Sequence, residues 1–97
     1  MPLETKPFDA APYFDTPEAQ AELLADAFDT GEAGFIVSAL ATVARAKGMG
    51  AVADAAGLTR QGLAKALGDG GNPTLATLLG VAKALGFRLA VEPVPAE

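Results

Sequence analysis

The chain has no cysteine and no histidine among its 97 residues. Disulfides, thiolate or imidazole metal ligands, and Ser/His or Cys/His nucleophile pairs therefore all lose an essential part. Neither enzymatic activity nor a metal or cofactor is expected, and stability has to come from packing. Long hydrophobic runs are missing as well. Apolar residues make up 51% of the chain, but much of this is alanine, and no run approaches the roughly 20 residues needed to span a bilayer. The first residues lack the basic start and apolar core of a secretory signal, so a cytoplasmic protein without a membrane partner is the expectation. A chain of this length supports one compact core.

Cations are scarce: the net charge is -5, a poor balance for binding phosphates. The distribution changes that picture. Residues 1–32 carry eight acids (Glu4, Asp9, Asp15, Glu18, Glu22, Asp26, Asp29, Glu32) against Lys6, a net of -7, and the remaining 65 residues carry six bases and four acids, a net of +2. Between Arg45 and Lys65 four cations (Arg45, Lys47, Arg60, Lys65) face the single acid Asp54. An acidic arm thus precedes a mildly basic core.

Residues 1–15 hold three prolines and the aromatics Phe8, Tyr13 and Phe14 without helical or alternating period, which reads as an ordered N-terminal arm. Residues 16–86 read as helical. Thr16-Pro17-Glu18 is a helix start, with a capping hydroxyl, a first-turn proline and an acid at the positive dipole end. Leu23, Leu24, Ala27 and Phe28 form the stripe of this first helix, which Gly31 ends. A second helix runs from Gly34 to Lys47 on Ile36, Ala39, Leu40, Val43 and Ala44. Gly50 to Leu67 contains two short helical patterns broken at Gly57-Leu58. After the turn-rich Asp69-Gly70-Gly71-Asn72-Pro73, Thr74 caps a last helix with Leu75, Leu78, Leu79, Ala82 and Leu85 on its apolar face, closed by Gly86. Phe87, Leu89 and Val91 alternate with Arg88, Ala90 and Glu92, the pattern of a short strand that Pro93 terminates. Residues 87–97 are thus a C-terminal strand and tail. The open strand edge needs a cover, either arm residues near Lys6 or a second copy, with pairing inside the chain favoured.

The informative segment is Gly50 to Leu63. A helix-turn-helix needs a small residue inside its first helix, supplied by Ala53, and a sharp turn four residues later, supplied by Gly57. Leu58 and Leu63 anchor the second helix, and Thr59 caps it. Such a helix enters the major groove with its N-terminal residues on base edges. Thr59, Arg60, Gln61 and Lys65 are its outward polar residues, and arginine suits guanine O6/N7 as glutamine suits adenine N6/N7. Arg45 and Lys47 are phosphate candidates. The competing interpretation is plain: outward polar residues on a helix are usually only solvated. The glycines at helix ends are structural, and Asp69-Gly70-Gly71 lacks the preceding strand and following Lys-Ser/Thr of a phosphate loop. The carboxylates of the arm have no visible pocket or partner base for acid-base chemistry.

The run Ala39-Leu40, Arg45-Ala46-Lys47-Gly48-Met49, Ala53, Gly57-Leu58-Thr59-Arg60, Leu63, Lys65-Ala66-Leu67, Gly71-Asn72-Pro73, Thr77 and Ala84-Leu85-Gly86 resembles the HigA-type addiction-module antidote family, within the wider lambda-repressor/Cro-like helix-turn-helix group. Phe8-Asp9, Tyr13 and Pro17-Glu18 are similar to it too, so the resemblance spans nearly the whole chain. It implies an all-α, lambda-repressor-like five-helix domain that forms a homodimer on double-stranded DNA at a palindromic operator, represses its own operon, and neutralises a RelE/ParE-like toxin protein. Gly62 stands where relatives carry a small polar residue, Ala64 where they often carry tyrosine, and Gly50 where a hydroxyl residue would cap the first motif helix. Two alternatives stand beside this: a stand-alone helix-turn-helix regulator, and an interaction module that mainly binds a basic toxin through the acidic arm and first helix.

Overall fold

The computed structural model describes residues 9–95. A one-turn 3-10 helix, Ala11–Tyr13, precedes five α-helices: α1 (Pro17–Thr30), α2 (Ala33–Lys47), α3 (Met49–Ala56), α4 (Arg60–Ala66) and α5 (Leu75–Ala84). The described residues are therefore all-helical outside their loops. Phe8 and Lys6 lie outside the described residues, as do the rest of residues 1–8 and the last two of the tail.

Local chemistry sets the helix ends. The Thr16 hydroxyl accepts from the Ala19 amide at 3.1 Å, and Thr59 and Thr74 do the same for Gly62 and Thr77 at 2.9 and 3.2 Å. Each cap satisfies one N–H that the first helical turn leaves free. α3 begins at Met49, so Gly50 lies inside the helix and Gly48 precedes it. The reason is economical: Gly48 ends α2 through its N–H on Ala44 and starts α3 through its carbonyl, which accepts from Val52 at 3.0 Å. The chain bends there by 109°. No single helix among the described residues is long and apolar enough to cross a membrane.

α2 is the centre of the molecule. Six successive residues, Ala39 to Thr42 with Val43 and Ala44, are buried, as expected for a helix enclosed by α1, α3 and the 3-10 turn. Small side chains let these neighbours approach closely, and the buried Thr42 hydroxyl is satisfied by donating to the Ser38 carbonyl at 3.1 Å. Leu40, Leu63 and Leu85 are enclosed almost completely, each contributing about 2 kcal/mol of transfer free energy.

Two expectations are corrected. Leu75 and Leu79 do not join the core but stay 68% and 49% exposed. α5 packs on α3, its phase set by the core residues Leu78, Val81 and Leu85, which places Leu79 a hundred degrees round the helix and Leu75 at its open first position. The strand over residues 87–92 is also not formed among the described residues. Phe87 gives its N–H to the Ala82 carbonyl at 2.9 Å, finishing α5, and beyond it no described backbone supplies the ladder that a strand requires.

Candidate nucleic-acid interface

The segment Met49–Ala66 consists of two short helices joined by the three-residue turn Gly57-Leu58-Thr59. Gly57 has φ +72°, a left-handed conformation that glycine adopts without steric cost. Its N–H bonds to Asp54 and that of Leu58 to Ala53, at 3.1 and 2.8 Å. This paired closure satisfies the last carbonyls of α3 and turns the chain sharply. Ala53 lies beneath the turn and is buried, Leu63 is fully enclosed, and Leu58 packs half-buried against the same core.

With Leu63 anchored inward, the opposite side of α4 is left to solvent. Thr59, Arg60, Gln61 and Lys65 are all exposed. Thr59 uses its oxygen as the cap, while Arg60, Gln61 and Lys65 have no ion pair or hydrogen bond from their side chains to described residues. Arg60 and Gln61 stand in the first turn of this short, well-anchored helix and Lys65 in its last turn. These side chains can offer donors to base edges and phosphates without first breaking internal contacts.

The two phosphate candidates on α2 behave differently. Lys47 is exposed at its last residue. Arg45 is committed: its Nε donates to Asp9 Oδ1 at 3.1 Å and its Nη2 to the Thr42 hydroxyl at 3.4 Å. The Asp9 carboxyl is held below its usual value, first by the Ala11 amide that donates to it; desolvation opposes this, and the hydrogen bond and charge of Arg45 add to the lowering. The arm and α2 are thereby tied together.

Sequence reasoning missed the residues that the loop after α4 brings back. Gly62 and Lys65 share a groove of about 400 Å³ with Asn72, Thr74 and Thr77. The loop folds tightly enough for Gly71 to donate to the Gly68 carbonyl at 2.8 Å, placing polar groups from the start of α5 beside Lys65. Only the Asn-Pro-Thr turn chemistry hinted at this in the sequence.

Comparison with known proteins adds a family. The family described as "probable addiction module antidote protein" matches residues 4–93. An uncharacterized protein of Haemophilus influenzae is 38% identical over 92 residues, covering 95% of this chain and 95% of the relative. No solved structure matches the chain.

Proposed function

Since the chain belongs to the family of probable addiction module antidote proteins, we propose that it is the antitoxin of a type II toxin-antitoxin pair, a helix-turn-helix regulator that binds its own promoter and neutralises a RelE/ParE-like toxin. One observation carries the DNA-binding half: Arg60 and Gln61, exposed and without side-chain partners among the described residues, in the first turn of α4, behind a glycine turn and anchored by Leu63. In this reading α3-turn-α4 is a HigA-type, lambda-repressor-like motif and α4 lies in the major groove. Thr59, Arg60, Gln61 and Lys65 contact bases. Lys47 contacts phosphates, and Arg45 is the second phosphate group, its reach limited while Asp9 holds its Nε, with Asn72 and Thr77 beside Lys65.

One copy presents few contacts, and twofold symmetry doubles them. The exposed Leu75 and Leu79, one turn apart on α5, supply apolar surface for a homodimer whose recognition helices meet a palindrome about 34 Å apart. The resulting repressor acts by occluding its promoter.

The test is a salt-controlled binding titration with the protein's promoter fragment and a scrambled fragment as reference. Two protomers per specific site, with affinity falling steeply in salt, are expected. Replacing Arg60 by Ala is expected to cost about 1–3 kcal/mol of operator binding and relax preference at one base pair. Equal affinity for both fragments would reduce α4 to scaffold.

A further inference from the structure

A groove of about 440 Å³ runs between α1, α5 and the segment after Gly86. Ala25 and Phe28 of α1, Leu78 and Ala82 of α5, and Phe87 and Leu89 beyond it make an apolar lining. No residue of α4 lines this groove, so filling it leaves Arg60 and Gln61 open.

One side of the groove is acidic. Glu18, Glu22, Asp26 and Asp29 are exposed on α1 at helical spacing, on the face adjoining Ala21, Ala25 and Phe28. Asp29 lines the groove itself, Glu92 stands across it, and Arg88 is the one cation in its lining. α1 contains no lysine or arginine, and none of its four carboxylates has an ion-pair partner among the described residues. Such a row repels itself and gains when a cationic surface faces it.

The other side is a backbone without partners among the described residues. Residues 88–92 make no backbone hydrogen bond to described residues, and Val91 among them is 98% exposed. An alternating segment whose N–H and C=O groups have no partner among the described residues, beside an apolar groove, suits strand addition, in which main-chain bonds hold the partner and the groove takes its side chains.

We propose that this groove is the docking surface for a basic protein, the toxin of the pair, which lays an apolar segment along residues 88–92 and meets the α1 carboxylates with lysine or arginine. This rests on the antitoxin reading above and assigns it a surface. A second copy of the chain is the poorer occupant, because it would bring the same acidic row to an already acidic rim, and nucleic acid is disfavoured for the same reason.

The full chain is co-expressed with the product of the adjacent open reading frame, and affinity is measured by calorimetry across a salt series. Variants Ala25→Arg and Val91→Pro change exposed positions, so circular dichroism and operator binding should match the parent. Both variants are expected to weaken toxin binding at least tenfold, and added salt should weaken the parent complex. If the parent binds and both variants bind equally well, the groove assignment falls while the antitoxin reading stands. If the parent itself does not bind, the antitoxin reading falls and the assignment with it. A variant that turns a dimer into a monomer at unchanged toxin affinity makes the groove a self-contact and overturns the proposal.

Discussion

Asp9 accepts a hydrogen bond from Arg45 Nε at 3.1 Å across 36 residues of sequence, and the same oxygen accepts from the Ala11 amide at 3.1 Å. One carboxylate thus caps the 3-10 turn and draws the arm onto α2. Its pKa is depressed below 3.8, so its contribution to stability is present above that value and is lost as pH falls through the folded-state pKa. The pair is exposed, and screening by water keeps it weak.

Replacing Asp9 by Asn preserves an acceptor for Ala11 but removes the charge that holds Arg45. The melting temperature at neutral pH is expected to change little, while amide exchange at Ala11 to Tyr13 accelerates. Arg45 is released toward DNA, so non-specific binding should strengthen at low salt and the salt slope should steepen by about one counterion. An unchanged slope would show that Arg45 does not reach a phosphate.

Gly80 occupies the interior of α5, where a Cβ would meet the Ala56 carbonyl oxygen at 3.6 Å, an ordinary van der Waals contact. Gly80→Ala should therefore stabilise the protein by up to about 1 kcal/mol through helix propensity and a less flexible unfolded chain. Thermal denaturation would show a rise of several degrees. A fall would mean that α3 and α5 cannot accept even one methyl between them.

The helices were legible because their ends are chemical: Thr16, Thr59 and Thr74 cap as their side chains dictate, and Gly31, Gly57 and Gly86 turn the chain where a left-handed residue is needed. The exposed residues of α4 followed from Leu63 being apolar and its neighbours polar. What the sequence withheld was tertiary. The phase of α5 depends on where α3 lies, so Leu75 and Leu79 looked like core residues. The Asp9–Arg45 pair joins distant segments, and the Asn72 and Thr77 side of the Lys65 groove exists only once the loop folds back. Alternation from Phe87 to Glu92 marks strand-forming ability, but forming a strand requires a partner.

Gly71 tests that loop. A Cβ there would run into the Ala66 carbonyl oxygen and lie 2.8 Å from the Gly68 carbonyl oxygen, and both are backbone atoms fixed by the end of α4. Gly71→Ala is expected to destabilise by about 1–3 kcal/mol, the scale of forced overpacking. Urea unfolding measures it, and an unchanged midpoint would mean the loop relaxes freely. DNA binding by the folded fraction should weaken as well, because Lys65 and Asn72 lose their common groove.

The last prediction concerns a coupling inside the first turn of α4. The Gly62 amide donates to the Thr59 hydroxyl at 2.9 Å, and a Cβ on Gly62 would lie 3.0 Å from that same oxygen. Two terms therefore oppose each other in Gly62→Ala: alanine gains up to about 1 kcal/mol of helix propensity, and its methyl displaces a cap of similar magnitude. The single substitution should be close to neutral. Thr59→Ala alone removes the cap and should cost about 1 kcal/mol. With the hydroxyl gone there is nothing left for the methyl to displace, so Gly62→Ala in the Thr59→Ala background should show its full propensity gain. A double-mutant cycle by urea denaturation should then return a coupling energy above about 0.5 kcal/mol. Strict additivity would mean that the Thr59 side chain swings aside without losing its bond, and that the glycine at position 62 has no role in preserving the cap.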